Sequence, residues 1–308
     1  MSKRDPVPMR PATPDSYYGR PIIKEPVWKP QIPFYFFTGG TAGASAVLSL
    51  AARAAGNERL AKTSLYVGLA GEVVSPVLLV TDLGRPERFL NMLRVFKVTS
   101  PMSVGSWILF VSGGATTTAA ACEKLGVLPR LKLAAELVSA AVGPPLAVYT
   151  ATLISDTAVP VWHDAREELP FIFAAGSAAS AGAAATLLLP PREATAARRL
   201  AIAGVAVGEA MMGTMERRLG FVGEPYRQGE AGRFKRIATA ATVAGASLLA
   251  VGGRRSRVAA VAGSALVLGG EAALRWSIFK AGFQSARDPK YTVRPQRERL
   301  ERRAKPEV

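Results

Sequence analysis

The chain has 308 residues, of which 49% are hydrophobic, and it carries a formal net charge of +16. Apolar residues at this density, gathered in long runs with the charges between them, exclude a soluble enzyme and predict an integral membrane protein. The basic residues are not spread over one folded face, so we expect phospholipid, and not nucleic acid, as the anionic partner.

Cys122 and His163 are the only cysteine and histidine in the sequence. An iron–sulfur cluster needs about four thiolates and a b-type haem usually two histidines, so neither is expected in this chain, and a structural zinc site is excluded too. Any redox metal should therefore belong to a partner. Residues 1–33 are polar and Pro-rich, and we recognise no signal peptide in them.

Eight apolar windows, each about as long as the roughly 20 residues that cross a bilayer, follow one another along the chain. They are Phe34–Ala52, Thr63–Thr81, Met102–Ala121, Leu131–Ile154, Phe171–Leu189, Ala197–Met215, Ile237–Gly252 and Val258–Phe279. The prediction is an all-α membrane protein with about eight transmembrane helices. We expect an N-terminal tail (1–33), a transmembrane domain (34–280, with halves of about 34–156 and 170–280) and a basic C-terminal tail (281–308).

The distribution of basic residues predicts the orientation of the chain. Of the 39 Lys and Arg, 26 lie on the side that holds both termini and 12 on the other side. Because basic loops stay in the cytoplasm, both termini are expected to be cytoplasmic, in the plasma membrane. The stretch Arg88–Lys97 reads as a short amphipathic helix, which would lie either in the membrane interface or as an ordinary loop helix.

A faint internal repeat places a Gly-Glu pair at mid-membrane in the second and sixth windows, at Glu72 and Glu209. Such a repeat would make two parallel four-helix bundles, although a two-residue match in Ala- and Gly-rich sequence also arises by coincidence. A carboxyl group in the membrane is costly, and Glu72 is a candidate proton carrier or a protonated, hydrogen-bonded glutamate. Glu271 and Arg275 are spaced i, i+4 and are expected to form a structural salt bridge.

The second window ends in Asp82-Leu83-Gly84-Arg85-Pro86 at the predicted cytoplasmic surface. Asp82 and Arg85 are close enough in sequence to pair, and Gly84 is expected to allow a turn that a side chain would block. The motif indicates either a helix stop with its own ion pair or a polar site that binds a ligand head group and passes a proton to water. The loop histidine, His163, is expected to be a surface residue.

Together these segments resemble the NrfD/PsrC family, the membrane subunits of polysulfide-reductase-type complexes. The matching parts are Tyr17–Pro21, the Gly-rich first window, Gly71-Glu72, Asp82–Pro86 with the following RFLNMLRVFK, and Ser100–Trp107. The resemblance implies two four-helix bundles and a quinone-reactive subunit without its own metal. Its implied partners are a four-cluster iron–sulfur subunit and a molybdenum or tungsten bis-pterin catalytic subunit.

By position, the resemblance implies that Tyr35, Asp82 and Arg85 bind menaquinone or ubiquinone, and that Glu72, Asp82 and Arg85 act in its chemistry. A histidine that some relatives carry near Tyr35 is absent here. A formate dehydrogenase-like or polysulfide reductase-like complex is the expected setting. Two alternatives remain: a secondary transporter that uses the two glutamates as coupling sites, and a pure membrane anchor without quinone chemistry.

Overall fold

The computed structural model describes residues 22–304, with side chains up to residue 301, and in that range the chain is helical throughout and has no strand. The α-helices are α1 (Gln31–Ala54), α2 (Glu58–Asp82), α3 (Pro101–Leu125), α4 (Pro129–Ser155), α5 (Pro160–Asp164), α6 (Leu169–Leu188), α7 (Thr195–Leu219), α8 (Gly229–Val251), α9 (Arg257–Arg287) and α10 (Lys290–Ala304). The segment Tyr17–Pro21, which contributed to the resemblance, lies outside the described residues.

Six of the eight predicted windows fall within long helices and the other two exceed theirs by one residue, Leu189 and Gly252, which confirms the all-α membrane class. Among the described residues, six helices are long and apolar enough by themselves to cross a membrane: α1, α2, α4, α6, α8 and α9. The other two, α3 and α7, have 25 residues each, but hydroxyl, Gly and charged residues lower their mean hydropathy. They pack beside the qualifying helices, and their crossing of the membrane stays a prediction.

Local sequence determines where several of these helices begin and end. The Asn57 side chain accepts a hydrogen bond from the Leu60 N–H at 3.1 Å, and Ser256 caps α9 in the same way through Ala259 at 3.2 Å. Gly126 ends α3 in the left-handed region, with φ of 65°, where glycine is favoured. Such caps let short loops reverse the chain between neighbouring antiparallel helices.

The long helices form two four-helix bundles, with α1–α4 in the first bundle and α6–α9 in the second. We call the side that holds Asp82, α5 and α10 the terminal face, and the side that holds the loops after α1, α3, α6 and α8 the opposite face. Helices α1 and α6 lie between the bundles, where α1 packs against α6 and α9 and α4 packs against α6. The bundles thus share one central seam.

Small residues permit the close packing of α1. A methyl group added to Gly43 would lie 2.3 Å from the carbonyl oxygen of Gly143 on α4, so the two backbones touch at this point. The same closeness occurs between α6 and α7, where a methyl group on Gly182 would lie 2.4 Å from the Ala197 carbonyl oxygen. The Gly-rich stretches of α1 and α6 therefore bring backbones together, as small residues do in membrane bundles.

The predicted amphipathic helix Arg88–Lys97 has a different form. A 3₁₀ helix spans Pro86–Leu93, and the chain beyond it is irregular until α3 begins. Several apolar side chains of the segment Arg88–Lys97 are exposed, among them Leu90 and Phe96. Pro86 at the first position suits a helix start, and the irregular geometry is consistent with a segment that has few packing partners of its own.

Candidate functional site

Asp82 lies at the last residue of α2, on the terminal face. Its Oδ1 accepts a hydrogen bond from the backbone N–H of Lys29 at 2.8 Å, which fixes the segment before α1 to the end of α2. The expected ion pair with Arg85 was wrong: no salt bridge joins them among the described residues, and Arg85 is exposed. The extended backbone of Leu83, with ψ of 139°, ends the helix and carries Arg85 away.

Gly84 does not have the role that the sequence suggested. Its backbone has no positive φ, and a methyl group added to it would meet no atom within 4 Å. The turn between α2 and the 3₁₀ helix therefore does not require glycine for space or for conformation. The expectation that a side chain would block this turn was wrong.

A narrow cavity of about 40 Å³ lies beside Asp82, between the ends of α1, α2, α3 and α4 on the terminal face. The lining residues are Trp28, Ile32, Tyr35, Phe36, Leu79, Asp82, Leu83, Met92, Met102, Ser106, Tyr149 and Leu153. Asp82 is the one charged side chain among them. A cavity of this size admits one or two water molecules, so a larger ligand would have to displace a side chain.

Tyr35 brings an unused hydroxyl group to this cavity. The side chain is 1% exposed, and its hydroxyl has no hydrogen-bond partner among the described residues. A buried polar atom without a partner is uncommon and often marks a site for water or a ligand. The structure thus places Tyr35 and Asp82, two of the predicted site residues, around one space.

Tyr149 on α4 completes the cavity and was missed by the sequence reasoning. Its ring meets that of Tyr35 edge to face, with the centroids 6.3 Å apart. Gly105 on α3 makes room for it, because a methyl group there would lie 2.1 Å from the Tyr149 ring. The sequence shows a tyrosine four residues after the Pro144-Pro145 pair, but no pattern in it indicates that this tyrosine lies beside Tyr35.

Tyr149 also lines a second, larger space, an open cleft of about 890 Å³ between α3 and α4. Along the membrane-facing part this cleft is apolar, with Ile108 and Pro144 in its wall. Its end at the terminal face carries polar groups, including Asp156 and His163. His163 is exposed, as expected of a surface residue. A long apolar chain with a polar head would fit a cleft of this kind.

Glu72 lies deeper in the first bundle than the cavity. Ten residues of helix separate it from Asp82, which corresponds to about 15 Å along the axis. The side chain is 4% exposed; its Oε1 accepts a hydrogen bond from the Ser112 hydroxyl of α3, and its Oε2 has no partner in the described part of the chain. The structure therefore separates Glu72 from Asp82 along α2.

The second bundle repeats part of this arrangement. Glu209 on α7 accepts hydrogen bonds from Thr239 and Thr242 of α8, at 3.1 and 2.9 Å. Each Gly-Glu pair thus lies on the second helix of its bundle and bonds to hydroxyl groups of the third. The tertiary contacts favour the internal repeat over a coincidence of sequence.

Glu271 and Arg275 do not form the expected salt bridge. Arg275 is 1% exposed, donates from Nη2 to the Phe173 carbonyl at 3.1 Å, and lies over the Phe173 ring at 4.1 Å. Glu271 and Arg275 both lie beside Gly176, yet no ion pair within 4 Å joins them in the described part of the chain. The contacts with α6 hold the guanidinium away from the carboxylate.

Comparisons with known proteins identify the family of this chain. A comparison with curated proteins found no match. The sequence pattern of one protein family, described as polysulphide reductase, NrfD, matches residues 22–212. The matched range covers the first bundle, the cavity with Tyr35 and Asp82, and the helices up to Glu209. This multi-pass membrane protein therefore belongs to the NrfD polysulphide reductase family.

Proposed function

We propose that this chain is the quinone-reactive membrane subunit of an oxidoreductase complex. The observation that carries the proposal is that Tyr35 and Asp82 line one cavity, and that the buried hydroxyl of Tyr35 has no partner among the described residues. A quinone accepts or gives up two electrons and two protons and has two carbonyl oxygens that accept hydrogen bonds. Tyr35 can donate such a bond, and Asp82 can carry a proton between the cavity and the surface.

The cavity fits a quinone in its chemistry but not in its resting size. A volume of about 40 Å³ is well below the roughly 300–1,000 Å³ of ordinary ligand sites. Tyr149 separates the cavity from the cleft of about 890 Å³. Movement of the Tyr149 ring would join the two spaces, with the head group beside Tyr35 and the isoprenoid tail in the cleft. Menaquinone and ubiquinone both meet this description.

The remaining residues have supporting roles in this proposal. The Lys29 N–H holds the Asp82 carboxylate at the cavity, and exposed Arg85 is available to the phospholipid surface or to a partner subunit. Glu72 is too deep to touch a head group beside Tyr35, so we assign it to proton transfer. The terminal face, with its exposed Leu90 and Phe96, would receive the four-cluster iron–sulfur subunit, which joins the molybdenum or tungsten catalytic subunit.

The family is consistent with this assembly, and the distribution of basic residues predicts its orientation in the membrane. With 26 of the 39 basic residues on the side of the termini, the terminal face would be cytoplasmic in the plasma membrane. The partner subunits would then be cytoplasmic as well.

The test is the substitution Asp82→Asn in the complex that co-purifies with the chain in mild detergent. The amide oxygen still accepts from the Lys29 N–H, so the local fold is kept while the proton carrier is lost. Quinone turnover should fall at least about 100-fold with the subunit composition unchanged. The matched control is Asp288→Asn: Asp288 also accepts a backbone N–H, that of Lys290 at 3.0 Å, but lines neither the cavity nor the cleft. This variant should leave turnover near the wild-type rate.

Two outcomes would point to the alternatives. Wild-type turnover in Asp82→Asn would remove Asp82 from the site. A complex that holds no quinone and resists quinone-site inhibitors would indicate a pure anchor. The repeated glutamates, each bonded to hydroxyls of the next helix, are the observation that favours a secondary transporter, and solute uptake that depends on Glu72 would support it.

A further inference from the structure

Buried polar side chains of the first bundle form a series that runs from the opposite face to the cavity. It begins at Arg53, near the end of α1, which donates two hydrogen bonds to the carboxylate of Glu136 on α4, at 2.7 and 2.8 Å. Glu136 is 2% exposed, whereas Glu58, another partner of Arg53, is open to solvent. This cluster therefore connects a buried carboxylate with the water at the opposite face.

The middle of the series consists of two hydrogen-bonded pairs on α2, α3 and α4. Ser139 lies three residues after Glu136 on α4, and its hydroxyl is 2.6 Å from that of Thr116 on α3. One turn earlier on α3, Ser112 donates to Glu72. Residues three or four apart on a helix are neighbours, so each step between pairs is a short one. Three positions, Ser139, Thr116 and Ser112, thus join the cluster at the opposite face to Glu72.

The last part leads from Glu72 to the cavity. Ser75 lies three residues after Glu72 on α2, and its hydroxyl is 2.8 Å from that of Thr38 on α1. Tyr35 lies one turn before Thr38, with its hydroxyl at the cavity that Asp82 also lines. The route through α1 avoids the apolar Leu79, which lies between Ser75 and Asp82 on α2.

Unpartnered polar atoms line the same interior. The hydroxyls of Ser45 and Ser64 are buried and, like Glu72 Oε2, have no hydrogen-bond partner in residues 22–301. Gly68 lies between Ser45 and Thr116, since a methyl group on it would be 3.6 and 3.8 Å from their side-chain carbons. Polar atoms left in this way are ordinarily satisfied by internal water, which would shorten the steps between the hydrogen-bonded pairs.

From this series we infer that the first bundle contains a proton path from the opposite face, through Glu136, Ser139, Thr116 and Ser112, to Glu72 and on to Tyr35. Each hydroxyl accepts one proton and releases its own, so the side chains are unchanged after a transfer. Helix α6, which packs against α1, α2 and α4, has no ionisable residue in its sequence. Helix α9, which also packs against α1, carries the buried Glu271 and Arg275 beside Gly176 of α6, and no hydrogen bond among the described residues links these two groups to the path.

The purpose of this proton path rests on the proposed function, the conversion of quinone beside Tyr35. If quinone is converted beside Tyr35, protons drawn from the opposite face would cross the membrane with each turnover. Electron transfer at the terminal face would then change the proton gradient. The existence of the path itself does not depend on quinone.

The test asks from which face Glu72 exchanges its proton. The full chain is placed in lipid vesicles, and its orientation is read from the access of protease to the basic C-terminal tail. N,N′-dicyclohexylcarbodiimide, which adds to protonated carboxyl groups in apolar surroundings, is applied with different pH inside and outside. Mass spectrometry then measures the labelling of Glu72. Raising the pH at the opposite face alone should reduce this labelling about fivefold or more, and raising it at the terminal face should have a smaller effect.

The variant Thr116→Val removes one hydroxyl with little change in shape, and it should weaken the response to the opposite face several-fold. Thr118→Val is the matched control, because Thr118 is half-buried on the same helix, lies outside the path, and its hydroxyl bonds to the Gly114 carbonyl of its own helix. Glu209 is the internal control, whose labelling should not change in Thr116→Val. Ser139→Ala tests the same link if Thr116→Val fails to fold.

Labelling of Glu72 that follows the terminal face, or that responds alike in wild type, Thr116→Val and Ser139→Ala, would overturn the path. Because no quinone takes part in the measurement, a failure of the Asp82→Asn experiment would leave this result standing, and the reverse also holds.

Discussion

In the first bundle, hydrogen bonds between side chains of different helices recur from the opposite face to the cavity, whereas in the second such bonds at mid-depth gather around Glu209. Other buried hydroxyls of the second bundle, such as those of Ser180 and Thr186, bond to carbonyl groups of their own helix. At the opposite face the first bundle ends in the bonded pair Arg53–Glu136. The second ends there in Arg257, whose guanidinium donates to the carbonyl oxygens of Leu187 and Leu189 after α6. One arginine thus pairs with a carboxylate, and the other closes a helix end.

This difference shows that two bundles of the same topology can use an arginine at the same face for different contacts. A guanidinium that bonds to helix-end carbonyls stabilises the helix end, and those carbonyl groups do not take up protons. A guanidinium bonded to a buried carboxylate holds a titratable group inside the bundle. At the opposite face, the first bundle therefore holds a buried carboxylate through Arg53, whereas Arg257 of the second bonds to helix-end carbonyls.

The largest expected effect comes from two arginines, the half-buried Arg53 and the buried Arg275. Arg53→Met would leave Glu136, which is 2% exposed, without its partner, and should lower the free energy of unfolding by about 3–5 kcal/mol. Arg275→Met removes a guanidinium whose Nε and Nη1 have no partner among the described residues, so it should cost less, about 1–2 kcal/mol. The thermal unfolding midpoint in detergent measures both, and an equal loss would contradict the distinction between the bundles.

Two glycines make room for aromatic rings, one in each bundle, and replacing them tests whether quinone binds only in the first bundle. A methyl group on Gly105 would lie 2.1 Å from the Tyr149 ring, and one on Gly282 would lie 2.0 Å from the Trp162 ring beside the second bundle. Gly105→Ala and Gly282→Ala should each destabilise the protein by about 1–3 kcal/mol. Only Gly105→Ala should also weaken quinone binding, measured by equilibrium titration, and weaker binding in Gly282→Ala would break the comparison.

Two buried tyrosines provide a matched pair with a smaller effect. Tyr35 and Tyr226 are 1% and 0% exposed, and neither hydroxyl has a partner within the described residues. Tyr35→Phe should raise the Kd for a menaquinone analogue about fivefold to tenfold, the worth of one hydrogen bond. Tyr226→Phe should leave the Kd unchanged. Equal affinity in wild type and Tyr35→Phe would remove Tyr35 from the site.

The smallest effect concerns the C-terminal helix, which the second bundle holds through a surface contact. Lys290 Nζ and the Tyr291 hydroxyl both lie 2.9 Å from Glu224 Oε2. The Lys290 hydrogen bond, followed by that of Tyr291, lowers the pKa of Glu224 below its usual value. The same carboxylate raises the pKa of Lys290, and burial, followed by the bond to Glu224, raises that of Tyr291 to about 12.

The sign of the pH effect follows from these shifts. A lowered carboxyl pKa means that the contact contributes fully above the unfolded-state pKa of Glu224, about 4.3, and is lost as the pH falls through the folded-state value. Below about pH 4 the C-terminal tail should therefore become more sensitive to an acid-active protease. Glu224→Gln should remove this pH dependence at a cost of about 0.2–1 kcal/mol, and an unchanged profile in the variant would show that another group is responsible.

Much of the fold could be predicted from the sequence, because hydropathy and helix caps are properties of consecutive residues. The eight apolar windows and the Gly-Glu repeat were predicted in this way. The site was predicted only in part. Tyr35 and Asp82 share a cavity, but Glu72 lies about 15 Å away along α2, and the ion pairs expected at Arg85 and Arg275 were wrong.

Local patterns were thus enough to predict that the chain lies in a membrane and which segments form its long helices, because burial in lipid acts on each segment separately. They did not predict all the helix ends, since α8 begins and α9 ends eight residues beyond its window. Which side chains meet became known only from the packing of the helices. Tyr149 reaches Tyr35 from a distant helix through the gap at Gly105, and the Lys29 N–H takes the place expected for Arg85 at Asp82. Such contacts depend on the rotation and spacing of helices far apart in sequence, which no local pattern specifies.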